Sequence, residues 1–170
     1  MIIAIDPGKI GGIAYRSTSG VLEVSPMPET DGDVIALLKT IHHIDGRGTA
    51  IMELQVGAGV SFGDKNEDGT AQTVATSAMF KFGRGYGLLQ GAIMTLGWRL
   101  ELVSPRKWIN GLSLGKRGTR TKTEWKNHLK AEAQRLYPGR HITLKTCDAL
   151  LILEYWNRNN LAPVQGGLPV

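Results

Sequence analysis

The chain has 170 residues, a formal net charge of +5 at pH 7 and a single cysteine. This length suits one domain spanning 1–170, and the lone Cys147 excludes an internal disulfide framework. No apolar run approaches the roughly 20 residues that a membrane-spanning helix needs, and the first residues lack the basic flank of a signal peptide. We therefore expect a cytoplasmic protein with no membrane partner.

The N-terminal third predicts three strands and a helix. The segments 1–6, 11–16 and 21–24 are short and apolar, with glycine-containing turns between them, a pattern typical of an antiparallel meander. From residue 34 to residue 41 the apolar spacing becomes helical, and either Asp31 or Asp33 is suited to cap that helix. The side chains expected in the core of the meander are Ile3, Ile5, Ile13 and Val21.

The rest of the chain alternates between predicted strands and helices. Strands are predicted over 49–54 and 98–103, helices over 77–96, 121–136 and 146–157, a glycine-rich polar loop over 55–73, and an irregular tail from about residue 158. The four glycines of the 77–96 helix suggest that another helix or DNA approaches its backbone. The order predicts an α/β fold: a five-stranded mixed sheet with an antiparallel three-strand meander, then parallel strands, flanked by helices.

Acidic residues end two of the predicted strands. Asp6 closes the first strand and Glu53 the fourth, and the carboxyl ends of parallel strands meet at one edge of a sheet. Two carboxylates at close range repel unless one is protonated or a cation bridges them, and Mg²⁺ prefers such oxygens. Asp148, near the start of the last helix, is the best third candidate. Taken singly, Asp148 also suits a helix N-terminus and Asp6 a turn cap, but together the three predict a metal site.

Basic residues are concentrated between residues 104 and 130, where eight lysines and arginines accompany one acid, Glu124. A solvated loop and helix face is one interpretation. Trp108 and Trp125 lie among these charges, and phosphate contacts combined with apolar wedges favour nucleic acid. In the polar loop, Phe62 is a candidate for stacking on a base, although a core position suits it equally, and Gln55 is a weaker candidate for a hydrogen bond to DNA. The candidate phosphate contacts are Arg106, Lys107, Lys116, Arg117, Arg120, Lys122 and Lys126.

Five ordered motifs resemble those of the RuvC-type Holliday-junction resolvases, especially phage-like members. They are IDPGKIGGIAY at 5–15, IMELQ at 51–55, FKFGRGYGLLQGAI at 80–93, VSPRKW at 103–108 and CDALLILEYW at 147–156. The resemblance implies a ribonuclease H-like fold and a homodimer that resolves four-way DNA junctions. It also implies cleavage with Mg²⁺, or Mn²⁺ in its place, as two ions per site, leaving 5′-phosphate and 3′-hydroxyl ends.

The motif match assigns family roles to individual residues and exposes one departure. Asp6, Glu53 and Asp148 correspond to three acids of the family's metal site. The family's fourth residue, Asp or His, lies three positions before the last acid, where this chain has Lys145. Because a protonated lysine does not bind Mg²⁺, the site either has three carboxylates or uses Lys145 as a catalytic contact to the scissile phosphate. A weakened enzyme or an inactive junction-binding protein is the alternative.

The same fold supports functions other than junction resolution. A related nuclease acting on other branched DNA or on RNA–DNA hybrids would keep the acids. The motif DPGKIGG also resembles the phosphate-facing hairpin of actin-like and sugar-kinase ATPases, but those enzymes need two such domains, so we expect no nucleotide cofactor. Because a four-way junction offers two equivalent strands, a two-fold dimer suits it. The dimer is expected to pack through the 77–96 helix with Met79, Phe80, Leu88 and Met94, unless these are buried within one subunit.

Overall fold

The computed structural model describes residues 1–54 and 76–160. Gln55 and Phe62, two predicted DNA contacts, lie outside these ranges. No helix of the described ranges is long and apolar enough to cross a membrane. The strands and helices are β1 (Ile2–Asp6), β2 (Gly12–Arg16), β3 (Leu22–Pro26), α1 (Asp31–Asp45), β4 (Thr49–Glu53), α2 (Thr76–Thr95), β5 (Arg99–Val103), α3 (Pro105–Gly111), α4 (Lys122–Leu136) and α5 (Cys147–Asn160).

The five strands form one mixed sheet in the order β3-β2-β1-β4-β5. β1 and β2 pair antiparallel, as do β2 and β3, whereas β4 is parallel to β1 and β5 is parallel to β4. This confirms the predicted meander followed by parallel strands. Ile3, Ala4 and Ile5 of β1 are wholly buried, as expected for a central strand covered by helices on both faces of the sheet.

Alternating strand side chains feed two hydrophobic cores, one on each face of the sheet. Ile5 of β1 packs with α1 and α2 on one face, while Ala4 packs with α3, α4 and α5 on the other. In α5 the run 149–153 has no exposed surface at all. This part of the helix is buried all round because it lies against β1 and β2 on one side and against α4 on the other.

Three local predictions are wrong. Val21 is 54% exposed and precedes β3, whose first residue, Leu22, is buried in its place. The cap of α1 is Thr30 rather than either aspartate, because the Thr30 hydroxyl oxygen accepts the backbone N–H of Asp33 at 3.1 Å. Residues 158–160, predicted to belong to an irregular tail, continue α5 as far as Asn160.

The short helix α3 is also absent from the predicted elements. Pro105 occupies its first turn, a position where proline is favourable. Trp108 of this helix is 1% exposed and packs in the core. The prediction that Trp108 is an apolar wedge for nucleic acid is therefore wrong, because its ring is not available to a ligand.

Two glycines of the IDPGKIGGIAY motif are required by close backbone approach. A Cβ on Gly11 would lie 2.0 Å from the carbonyl oxygen of Asp6. A Cβ on Gly12 would lie 2.6 Å from the carbonyl oxygen of Lys145 and 2.8 Å from that of Ser25. Gly12 therefore allows the segment leading into α5 to rest directly on β2, opposite Asp6 in the strand register.

We predict that Gly12→Ala destabilises the fold, because the added methyl group has backbone atoms rather than flexible side chains as neighbours. The expected loss in the free energy of unfolding is about 1–3 kcal/mol, the usual cost of overpacking, measured by urea denaturation. Gly32→Ala is the matched control: it lies at the exposed start of α1, and its nearest neighbour is the Thr30 hydroxyl at 3.7 Å. Equal stability of the two variants would contradict this account of Gly12.

Candidate active site

The three predicted acids converge at one end of the sheet. Asp6 ends β1 and Glu53 ends β4, and these parallel strands are paired with Ile5 opposite Met52, one residue before each acid. Asp148 is the second residue of α5, the helix that packs against β1 and β2. All three residues are buried, with 9% of each exposed. The fold therefore gathers side chains that are up to 142 positions apart in the sequence.

Lys126 of α4 is the cation that faces two of these acids. Its ammonium contacts Oδ2 of Asp148 and lies 3.7 Å from Oδ2 of Asp6. The lysine side chain is 26% exposed. In this structure Lys126 is thus a partner of the acidic cluster, although the sequence pattern suggested a surface contact to phosphate.

Glu53 is held from the other side by the α3 tryptophan. The indole Nε1 of Trp108 donates a 2.9 Å hydrogen bond to Oε2 of Glu53, and both groups are buried. The hydroxyl of Tyr86 in α2 donates to the backbone carbonyl of Glu53 at 3.4 Å. Because the ring of Trp108 is immobilised by core packing, its N–H fixes one carboxylate oxygen of Glu53.

The electrostatics of Asp6 reflect its crowded, buried position. The pKa of Asp6 is raised from 3.8 to about 7, first by burial and then by the negative charge of Asp148, with a smaller contribution from Glu53, while the charge of Lys126 opposes the shift. The folded protein consequently holds this proton to higher pH than the unfolded chain does. The stabilising contribution of protonated Asp6 is complete below about pH 3.8 and is lost as the pH rises through about 7.

Lys126 keeps its charge in the same environment. Burial alone lowers the pKa of Lys126, but the carboxylates of Asp148 and Asp6 more than offset that effect, so that the pKa is raised overall. At neutral pH the group facing the acids is therefore an ammonium ion. One positive charge accompanies the buried carboxyl groups.

Cys147 supports Asp148 without being a nucleophile. Its buried thiol lies 3.2 Å from Oδ1 of Asp148 and is placed to donate to it. Burial, followed by the charge of Asp148, raises the pKa of the Cys147 thiol to about 12. Since the thiolate is the reactive form, this cysteine is chemically inert at neutral pH and serves to orient the carboxylate.

The donor set fits a hard divalent cation in kind. All three candidate ligands are carboxylates, the groups that Mg²⁺ and Mn²⁺ prefer, and two of them already share one cationic partner in Lys126. Within residues 1–54 and 76–160, however, no three His, Cys, Asp or Glu side chains are close enough to hold one ion together. In this structure the ammonium ion of Lys126 therefore lies between the carboxylates of Asp6 and Asp148, with Glu53 beside them.

A cleft of about 530 Å³ opens beside the acids. Its walls include Glu53, Asp148 and three lysines, Lys122, Lys126 and Lys145. Lys145, the residue that the motif resemblance aligns with a fourth metal ligand, is exposed at this wall and adds a positive charge to the cleft. A larger cavity of about 770 Å³ lies between the β1–β2 turn and α2, away from the acidic trio.

The remaining predicted phosphate contacts belong to α3, to the start of α4 and to the segment that joins these two helices. Arg106 and Lys107 are exposed on α3, Lys122 is exposed at the start of α4, and Lys116, Arg117 and Arg120 are exposed in the segment between the two helices. That segment is tied together internally. Arg117 Nε donates to the carbonyl of Arg120 at 2.9 Å, and Arg120 donates to the carbonyl of Lys116 at 3.0 Å. Arg120 also lies 5.9 Å over the ring of Trp125.

Sequence reasoning missed the partnership of Lys126 with the acids, although a signal for it is present. Leu129 and Ala133 are the buried residues of α4, and Lys126 precedes them by three and seven positions. This spacing places Lys126 on the buried face of the helix. A charged residue within an apolar stripe indicates a buried partner of opposite charge. No comparable signal identifies Trp108 as the donor to Glu53.

Comparison with solved structures finds the same architecture. A structure of Thermus thermophilus RuvC is 17% identical, with a TM-score of 0.52, and the match covers 93% of this chain and 95% of that one. T. thermophilus RuvC in complex with a Holliday junction substrate is 15% identical, with a TM-score of 0.49 and coverage of 94% and 96%. No family model and no curated protein matches the chain. At this level of identity the likeness concerns the fold: the chain has the RuvC-like, ribonuclease H-like fold that its motifs predicted.

Proposed function

We propose that the protein is a metal-dependent, structure-selective DNA endonuclease that resolves four-way junctions by paired phosphodiester hydrolysis. The proposal rests on the convergence of three acids: Asp6 at the end of β1, Glu53 at the end of β4 and Asp148 in the first turn of α5. They lie beside a cleft lined by lysines. Buried carboxylates next to a basic surface suit a reaction in which cations bind a phosphate backbone. The RuvC-like fold is consistent with this chemistry.

In the proposed reaction the three carboxylates would hold Mg²⁺, or Mn²⁺ in its place, as two ions. When bound, such ions activate a water molecule and neutralise the leaving 3′-oxygen, which leaves a 5′-phosphate and a 3′-hydroxyl. Trp108 keeps Glu53 in place through the indole hydrogen bond, and the Cys147 thiol orients Asp148. Lys145, exposed at the cleft, would contact the scissile phosphate and stabilise the charge that develops on it.

A junction-binding protein without nuclease activity is the second candidate. Two observations favour it: Lys126 pairs with Asp6 and Asp148 in this structure, and Lys145 stands where the family has a metal ligand. The two candidates share a DNA-binding surface and differ only in whether the bound strand is cut. Cleavage by the purified protein therefore separates them directly.

We predict that the wild-type protein nicks a synthetic four-way junction in Mg²⁺ or Mn²⁺ and that Asp6→Asn abolishes nicking. An amide at this position removes the charge that would hold the cation, while the DNA-binding surface is unchanged. Junction binding in Ca²⁺, measured by gel shift, should stay within about twofold of wild type, well under 1.4 kcal/mol. Cleavage retained by Asp6→Asn would contradict the metal-site assignment, and a wild type that binds but never cuts would favour the second candidate.

The same assay with other substrates tests the structural preference. Three-way junctions, flaps, linear duplex and an RNA–DNA hybrid of the same sequence are compared with the four-way junction at equal concentration. Faster cleavage of the four-way junction, with cuts placed symmetrically on two strands, is the expected ranking. A faster rate on flaps or hybrids would reassign the substrate while keeping the nuclease.

We predict that junction affinity falls steeply with salt, because the exposed basic residues displace condensed counterions from phosphates. Each neutralised phosphate adds roughly 0.9 to the slope of log affinity against log salt, so Lys107→Gln combined with Lys116→Gln should reduce the slope by about 2. Lys39→Gln on α1 is the control, since this exposed lysine is remote in the chain from the basic segment. A slope that is flat, or that changes equally in the control, would exclude these contacts.

A homodimer through α2 is the proposed assembly. Phe80 and Met94 are 71% and 60% exposed. Between them Gly83, Gly87 and Gly91 lie at intervals of three or four residues, so these five positions share one helix face. A Cβ at any of the three glycines would meet nothing within 4 Å among the described residues. Small residues flanked by large exposed apolar ones allow a second helix to approach closely.

The other two residues predicted at this interface differ from each other. Leu88 packs against its own subunit's core, whereas Met79 is 36% exposed.

We predict that Gly87→Leu converts the dimer into a folded monomer, because the leucine side chain would separate the two helices. The measurement is molar mass by light scattering during gel filtration, with circular dichroism to verify the fold. Lys81→Leu is the control, since it adds a leucine to the same helix away from the face shared by Phe80 and Met94. A wild-type protein that is monomeric at micromolar concentration would exclude this assembly.

A further inference from the structure

Lys126 has an unusual position for a lysine. It lies on the buried face of α4, in line with Leu129 and Ala133, and only 26% of its side chain is exposed. Desolvating an ammonium ion is costly unless a partner of opposite charge compensates it. Because of the orientation of α4, the ammonium of Lys126 faces Asp6 and Asp148 rather than solvent.

The ammonium of Lys126 engages oxygen atoms that the proposed metal site would use. It contacts Oδ2 of Asp148 and lies 3.7 Å from Oδ2 of Asp6, two of the three carboxylates assigned to the metal. A divalent cation bound to the same two oxygens would meet a positive charge at close range. Lys126 and the cation consequently exclude each other from this position.

The buried acids are most stable when one cationic partner is present. Without Lys126, Asp6 and Asp148 would be buried near each other with no positive charge to offset their repulsion. With both the ammonium and a divalent cation in place, two cations would repel. The arrangement is therefore one of exchange, in which the same carboxylates have a cationic partner in both states.

We propose that Lys126 is an internal counter-ion, which holds Asp6 and Asp148 together in the metal-free protein and is displaced from them by the divalent cation. This inference rests on the proposed metal-dependent function. The lysine has a flexible four-carbon side chain, and it lines the same cleft as Lys122 and Lys145. Displacement moves its charge toward the side of the cleft where a phosphate backbone would lie.

The test measures metal binding and stability rather than cleavage. Removing the competing charge with Lys126→Met should tighten Mn²⁺ binding by about tenfold, measured by calorimetry, since a partly buried charge is no longer displaced. In EDTA the same variant should have a lower melting temperature than wild type, and saturating Mn²⁺ should close that gap. Lys122→Met is the control: it removes a lysine from the same helix and cleft, but one turn earlier, and should change Mn²⁺ affinity by less than about twofold.

If Lys126→Met does not fold in EDTA, Lys126→Arg provides a second test. Arginine retains a positive charge, so Mn²⁺ affinity should stay within about threefold of wild type, well short of the change for methionine. Unchanged or weaker Mn²⁺ binding in Lys126→Met, or equally tight binding in Lys126→Arg, would overturn the inference while leaving the metal-dependent function intact. Absence of Mn²⁺ binding in wild type and Lys126→Met alike would overturn both.

Discussion

The structure depends on the compensation of negative charge at the end of β1 and β4. Three carboxyl groups are brought into a buried region, where an isolated carboxylate is strongly disfavoured. Each has a specific partner: Lys126 for Asp6 and Asp148, the Trp108 indole for Glu53, and the Cys147 thiol for Asp148. The raised pKa of Asp6 reflects a burial effect that the opposing charge of Lys126 does not offset. The unfavourable free energy of burying these acids is tolerated because hydrophobic packing elsewhere fixes the strands and the helix that carry them.

Packing fixes the acids through a short series of contacts. Gly12 allows the segment before α5 to rest on β2, and the buried run 149–153 anchors α5 against the sheet. Asp148 is thereby placed near the end of β1. On the same side, the buried stripe of α4 brings Lys126 inward, and α3 brings the ring of Trp108 to Glu53. Residues with no chemical role thus determine the geometry of those that have one.

Two lysines define the difference between this site and a simple three-carboxylate metal centre. Lys145, which the motif resemblance aligns with a fourth metal ligand, is exposed at the cleft, whereas Lys126 is directed at the acids themselves. In the proposed function the first would add positive charge beside a bound phosphate, and the second would neutralise the carboxylates until a divalent cation replaces it. The likeness to RuvC concerns the fold, and the proposed chemistry therefore rests on these residues, their burial and their distances.

The sequence by itself determined the order of the elements apart from α3, the mixed sheet and which three acids end up close together. Apolar periodicity and glycine positions are local signals, and β1, β4 and α5 are strongly apolar elements whose terminal acids stand out. Only the tertiary structure decided the partners of those acids. Trp108 and Lys126 lie 55 and 22 positions from Glu53 and Asp148, and such contacts depend on how α3 and α4 pack. The same local composition that suggests a nucleic-acid surface placed Trp108 in the core and Lys126 against the acids, because burial is a property of the assembled layers rather than of neighbouring residues.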